Sequence, residues 1–105
     1  MNFIDYSTIL IVNDIEATLS ELLPNYPIHS TRIIKNEEKE EFLLIQATLA
    51  IKEAYIATSE KKYIFLCGTT FRKEAQNSLL KILEEPPRNV VFIIITNSKS
   101  SLLPT

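Results

Sequence analysis

The sequence has only one glycine, Gly68, and one cysteine, Cys67, among its 105 residues. Loops that bind phosphate through backbone N–H groups need several glycines, because the chain must turn tightly and approach the phosphate closely. A P-loop and a dinucleotide-binding fingerprint are therefore both excluded. A single cysteine cannot form an internal disulfide, which favours a reducing, cytoplasmic setting.

Long apolar runs and a strong charge imbalance are also missing. The longest apolar run, Val90 to Ile95, is too short to cross a membrane, and the N-terminus lacks the basic start and apolar stretch of a signal peptide. The formal net charge is -2, so a DNA contact would need a local basic patch. The composition, 46% hydrophobic and 23% charged, is typical of one soluble globular domain covering residues 1–105.

Apolar runs alternate with helical patterns along the chain. The pattern predicts strands at 8–12, 28–35, 62–67 and 90–96, and helices at about 15–23, 37–57 and 71–85. The strands are unbroken apolar runs, and the order β-α-β-α-β-α-β is typical of a parallel sheet with helices on both faces. The second helix is apolar nearly all round, so we expect it to be covered on more than one side.

The segment from Glu74 to Pro87 reads E-A-Q-N-S-L-L-K-I-L-E-E-P-P. It resembles the A-x-N-A-L-L-K-x-L-E-E-P-P signature of bacterial clamp-loader AAA+ subunits, the delta-prime and gamma/tau proteins of DNA polymerase III. Residues 88–97 are similar to the sensor-1 strand of that family, and residues 102–105 to the stretch before its Ser-Arg-Cys motif. The resemblance is continuous from Lys62 to Thr105, whereas residues 1–61 match only in element order. It implies an α/β fold, the three-layer parallel sheet of the AAA+ P-loop NTPase core with four or five strands.

The departures from the family pattern concern ATP. Leu66 and Cys67 occupy the degenerate Walker B positions, where ATPase members carry an Asp-Glu pair, and neither side chain can hold magnesium or act as a general base. After the first strand, Asp14 and Glu16 stand where ATPase members begin a glycine-rich loop, and both would repel phosphate from the helix N-terminus. The zinc-binding cysteine cluster of the family is impossible with one cysteine. The resemblance therefore implies the delta-prime type, a subunit with no catalytic residues, no cofactor, no metal and no ATPase activity.

In the family, such a subunit is a rigid stator that helps to load the sliding clamp onto primed DNA. Its implied partners are the gamma/tau and delta subunits, with the clamp and the primer-template DNA contacted indirectly or weakly, and no membrane. Two alternatives stay open: a gamma/tau-like clamp-loader ATPase, and a degenerate AAA+ interaction module outside replication. The lid and collar domains of the family and the Ser-Arg pair are not in the sequence, so we expect an N-terminal part of a longer protein.

Candidate interaction residues lie on and around the third predicted helix. The partner-interface candidates are Asn77, Lys81, Glu84, Glu85, Pro86 and Pro87. Arg72 and Lys73 lie at the helix start, where the dipole disfavours cations. They are either DNA-phosphate contacts, or a solvated pair or partners for Glu74 or Gln76.

The remaining polar residues receive structural interpretations. Thr96 and Asn97 occupy the degenerate sensor-1 position, where without a P-loop a strand-end cap is favoured. We expect Cys67 to be buried and unreactive, His29 to be an ordinary residue at a strand start, and the charged run 37–41 to be a solvated helix face.

Overall fold

The computed structural model describes residues 3–97, so the similarity noted at residues 102–105 lies outside the described part. The strands are β1 (Thr8–Ile11), β2 (Thr31–Lys35), β3 (Glu41–Phe42), β4 (Lys62–Cys67), β5 (Thr70–Phe71) and β6 (Val90–Thr96). The α-helices are α1 (Ile15–Leu22), α2 (Leu44–Ala54) and α3 (Lys73–Glu84).

Four strands form a parallel sheet in the order β1-β6-β4-β2. Every residue of β4 and β6 is buried, which explains why these strands read as unbroken apolar runs. Strands that are covered on both faces have no solvent side to carry polar residues. The structure therefore confirms an α/β fold with a parallel sheet.

Successive residues of β4 and β6 point to opposite faces of the sheet and so supply two cores. On one face α1 packs against a cluster that includes Phe65, Ile93 and Ile95. On the other face α2 and α3 pack against Ile64 and Phe92. Burying each such side chain contributes about 1.5–3 kcal/mol to folding, so the two central strands hold both layers together.

The second predicted helix begins later than we expected. Residues 37–40 form a bend, and Glu41–Phe42 form β3, which pairs in parallel with β5. Asn36 caps this turn, because its Oδ1 accepts hydrogen bonds from the N–H groups of Glu38 and Lys39 at 3.0 and 3.2 Å. Phe42 is fully buried and stacks on Phe71 at 4.4 Å between ring centroids. That tertiary contact outweighs the local preference of the charged run for a helix.

The start of the third helix and the start of the second strand also differ from prediction. Thr70 and Phe71 belong to β5, so α3 starts at Lys73 with Arg72 as its N-cap residue. Ile28–Ser30 form a short 3₁₀ turn that includes His29, and β2 begins only at Thr31. A short strand therefore replaces the first residues of the predicted third helix, and a 3₁₀ turn replaces the first residues of the predicted second strand.

The one glycine of the chain is required by this small second sheet. A Cβ atom added at Gly68 would lie 2.8 Å from the Cβ of Phe42, which is closer than real Cβ contacts allow. Gly68 therefore permits the close approach of β3 to the end of β4.

The C-terminal end of α2 is fixed by a buried lysine. Lys62, 4% exposed, donates from Nζ to the carbonyl oxygens of Glu53 and Ile56, both at 2.8 Å. Its Nζ also lies 3.3 Å from Glu53 Oε2, which accepts from Arg32 Nε at 3.1 Å. Cations at a helix C-terminus satisfy its free carbonyls, so this network ties α2 to β2 and β4.

Candidate functional site

The carboxyl ends of the parallel strands meet at one edge of the sheet, where a pocket of about 480 Å³ opens. Its walls include Asn13 after β1, Asn36 after β2, Gly68 after β4 and Asn97 after β6. Open parallel sheets bind ligands at this edge, where the direction of the connections changes. The pocket is therefore the place to look for binding chemistry.

The start of α1 carries its own negative charges into this pocket. Asp14 is the N-cap residue, and its Oδ1 accepts from the N–H of Ala17 at 3.0 Å. Glu16, in the first turn, forms an ion pair with Lys35 across the pocket, with Nζ and Oε2 3.1 Å apart. The hydrogen bond to Glu16 raises the pKa of the Lys35 ammonium. The cation nearest the helix start is thus already paired within the chain.

The lining as a whole is acidic. Five acidic side chains and two basic ones line the pocket: Asp14, Glu16, Glu37, Glu38 and Glu40 against Lys35 and Lys39. The acidic members of the run 37–41 were predicted to be a solvated helix face, and the structure instead places most of that run on the pocket rim. Only the tertiary path of the bend at 37–40 brings it there.

The end of β4 offers the pocket no carboxylate. Leu66 is fully buried in the core beneath α2 and α3, and Cys67 is 2% exposed. Burial raises the pKa of the Cys67 thiol to about 12, so the thiol is protonated at neutral pH. Neither side chain can hold a divalent cation through oxygen or accept a proton from water.

At the end of β6 the two neighbouring polar residues have different environments. Thr96 is fully buried, and its hydroxyl donates to the carbonyl oxygen of Thr69 at 3.0 Å. Asn97 is exposed and lines the pocket. The Thr96 hydroxyl therefore faces protein rather than the open pocket.

The outer surface of α3 collects the partner-interface candidates. Asn77, Lys81 and Glu84 are exposed at helical spacing, so they share one face, and Glu85 follows them as the C-cap residue. Pro86 and Pro87 are half-buried at the turn into β6. Asn77, Lys81 and Glu84 form an exposed polar stripe on α3, with the two prolines beside its C-terminal end.

The two DNA-phosphate candidates are brought together at the start of α3 but differ in charge pairing. Arg72 lies 3.8 Å from Glu41 (Nη1 to Oε2) and 3.9 Å from Glu74 (Nε to Oε1). Lys73 is exposed, and it forms no ion pair among the described residues. Exposed ion pairs of this length contribute little to stability. The two carboxylates therefore partly offset the charge of Arg72 without fixing the position of its side chain.

Within residues 3–97 no group of three or more metal-ligating side chains comes together. The helices in the same part of the chain are all too short or too polar to cross a membrane.

The sheet order, the helices on both faces and the strand-end pocket define an α/β domain built on a four-stranded parallel sheet. A solved DNA polymerase III gamma subunit-related protein from Thermotoga maritima has the same fold, with a TM-score of 0.73 and 22% sequence identity. The match covers 94% of this chain and 37% of that one, so the chain spans little more than a third of that protein. No curated protein matches the chain.

The family model for "DNA polymerase III, delta subunit" matches residues 28–105, which is most of the sequence. The chain belongs to this family and is a clamp-loader-type domain of DNA polymerase III.

Proposed function

We propose that this domain comes from a non-hydrolysing clamp-loader subunit of the delta-prime type, a stator that helps to load the sliding clamp during bacterial DNA replication in the cytoplasm. The observation that carries the proposal is the acidic lining of the strand-end pocket. It lies where a nucleotide-binding member of the fold would hold phosphate.

Order-of-magnitude energies support the proposal that ATP does not bind in this pocket. The dipole at the start of α1 favours an anion by about 0.3–1 kcal/mol. Each carboxylate about 4 Å from a phosphate oxygen opposes it by roughly 1 kcal/mol in water and about 4 kcal/mol near a protein surface. Asp14 and Glu16 both lie at this helix start, and Lys35 offsets only Glu16, so the charge of Asp14 and of the acidic rim still makes repulsion exceed attraction. The apolar end of β4 adds no magnesium ligand to offset it.

Without nucleotide binding, the function we propose for the domain is to hold neighbouring subunits in position. A sheet buried on both faces is a rigid body, and the polar outer face of α3 is free to contact neighbouring gamma/tau or delta subunits. The clamp and primer-template DNA are reached through those subunits, or weakly through Arg72 and Lys73. We propose that Asn77, Lys81, Glu84, Glu85, Pro86 and Pro87 contribute to the subunit contact.

The nucleotide test is calorimetric titration of the full chain with Mg-ATP, with the clamp-loader ATPase subunit of the same organism as the positive control. We expect no saturable binding up to about 1 mM, the upper end of usual substrate affinities. Micromolar binding accompanied by hydrolysis would contradict the proposal and support the gamma/tau-like ATPase.

The assembly test mixes the full chain with that ATPase subunit and the delta subunit in size-exclusion chromatography with light scattering. We expect one complex, and we expect Glu84→Lys on α3 to weaken it at least about fivefold, as expected for an interface residue worth more than about 1 kcal/mol. Glu21→Lys is the matched control, because Glu21 is an exposed glutamate of α1 on the opposite face of the sheet.

Separate elution of the unmodified chain at micromolar concentration would favour the interaction module outside replication. Equal weakening by the two charge reversals would leave the stator role standing but move the contact away from α3.

A further inference from the structure

A chain of hydrogen bonds runs from the end of β6 to the rim of the pocket. The Thr96 hydroxyl donates to the carbonyl oxygen of Thr69 at 3.0 Å. Thr69 in turn donates its N–H and its hydroxyl to the carbonyl oxygen of Glu40, at 2.8 and 3.1 Å. Two steps therefore connect the central sheet to the bend that forms the rim.

The same rim is joined to the start of α3. The N–H of Arg72 donates to the carbonyl oxygen of Phe42 at 3.0 Å, and the rings of Phe42 and Phe71 are stacked. The rim segment, residues 36–42, and residues 69–72 consequently form one connected unit. The rings of Phe42 and Phe71 attach this unit to the core of the large sheet, and the Thr96 hydroxyl adds a hydrogen bond from β6.

The Thr96 hydroxyl is a buried polar group at the end of an otherwise apolar strand. The preceding residues of β6 are all apolar, and Thr96 is as buried as they are. A buried hydroxyl without a partner would cost free energy that valine, of almost the same shape, avoids. Its hydrogen bond to Thr69 gives the polar group a specific structural use. The rim is otherwise mostly exposed charged side chains, a composition that on its own opens easily.

We propose that Thr96 is a positioning residue whose hydroxyl locks the rim segment and the first turn of α3 to strand β6. The rim segment and the start of α3 then move as one unit. This inference rests on contacts within residues 3–97 and does not depend on the proposed function.

The test is amide hydrogen exchange of the full chain for the unmodified protein, Thr96→Val and Thr96→Ser. In Thr96→Val we expect the amides of Thr69 and Arg72 to exchange about tenfold faster, the effect of losing one buried hydrogen bond. In Thr96→Ser, which keeps the hydroxyl, we expect less than about a twofold change at both amides. The Lys62 amide, bonded to the Asn89 carbonyl at the opposite edge of the sheet, reports global opening and should not change.

One further variant, Thr96→Ala, separates the hydroxyl from side-chain volume. Thr96→Ala and Thr96→Ser both shorten the side chain, but only alanine loses the hydroxyl, so only alanine should loosen the rim. Thr31→Val is the matched control, since it removes a hydroxyl bonded at 2.6 Å to the Pro27 carbonyl, away from the pocket. We expect it to leave the Thr69 amide unchanged.

Three results would overturn the proposal. The first is wild-type exchange at Thr69 and Arg72 in both variants that lack the hydroxyl. The second is equal loosening by alanine and serine, which would assign the effect to volume. The third is a uniform rise that includes Lys62, which would make Thr96 a contributor to global stability alone. None of these results involves nucleotide or partner subunits, so failure here is distinct from failure of the stator proposal.

Discussion

Helices α2 and α3 pack side by side on the same face of the sheet, yet the solvent-facing side of α2 is largely apolar and that of α3 is polar. The exposed positions of α3 are mainly charged or polar, as at Lys81 and Glu84. Ile45 and Leu49 on α2, with Tyr55 and Ile56 just beyond its end, are 51 to 64% exposed. Among the described elements, only one side of α2 is covered, although its composition predicted more.

The inner surfaces of the two helices explain the contrast. The buried residues of α2 are Ala47, Ala50 and Ala54, whereas α3 buries the larger Leu79 and Ile82. Alanines let α2 approach the sheet closely, and Ile45 and Leu49 are left outside while Ile51 is only partly buried. Hydrophobicity alone therefore does not tell which side of a helix faces the core, because side-chain size against the available gap also decides.

The largest expected difference between the helices is in core truncation. Leu79→Ala on α3 removes a fully buried side chain and should lower the free energy of unfolding by about 2–5 kcal/mol. Leu49→Ala on α2 should cost under about 0.5 kcal/mol, because the side chain is half exposed. Urea denaturation followed by circular dichroism measures both. Comparable losses would show that the outer side of α2 is covered in solution. The contrast drawn here between α2 and α3 would then be wrong.

The second largest difference in the free energy of unfolding is expected between lysine substitutions near the two helices. Lys62→Met leaves the carbonyls of Glu53 and Ile56 without their buried donor, so we expect a loss of about 1–3 kcal/mol. Lys81→Met changes an exposed side chain and should stay within about 0.5 kcal/mol of the unmodified protein. Paired denaturation curves give the answer. A neutral Lys62→Met would mean that the carbonyls find water or another donor when the lysine is removed.

These contrasts separate what could be predicted from sequence and what could not. The bounds predicted for β4 and β6 are confirmed, because both are apolar runs ended by polar residues or turns. The start of α3 was predicted two residues early, since the amphipathic period marks a helix face better than its first residue. The start of α2 was wrong because the burial of Phe42, a long-range contact, ends the local helical pattern.

Some features of the candidate site could also be predicted from the sequence, and others could not. Strand ends could be predicted to meet at one edge, since parallel strands share an orientation, and this places Asn13 and Asn97 in one pocket. The pairing of Glu16 with Lys35 and the bond from Thr96 to Thr69 depend on distances between elements far apart in sequence. No local pattern marks those partners.

The smallest predicted effect concerns a feature that α2 and α3 share. Gln46 Oε1 accepts from the N–H of Leu43 at 2.9 Å at the start of α2, and Gln76 Nε2 donates to the carbonyl of Phe71 at 2.8 Å at the start of α3. Gln46→Ala and Gln76→Ala should each cost about 0.5–1.5 kcal/mol. Thermal melts of both variants against the unmodified protein measure this. A loss confined to one variant would mean that only that helix depends on its glutamine.

The pairing of β1 has a consequence for synthesis of the chain. Within residues 3–97, β1 pairs only with β6 in the large sheet, with Thr8 opposite Ile93, so its partner strand is translated after β2 and β4. At the usual rates of synthesis, the first strand waits roughly 4 to 17 s for its partner. Its backbone N–H and C=O groups and apolar side chains stay unpaired on the nascent chain throughout that time. Premature release before β6 would therefore leave an aggregation-prone strand at the N-terminus rather than a smaller folded domain.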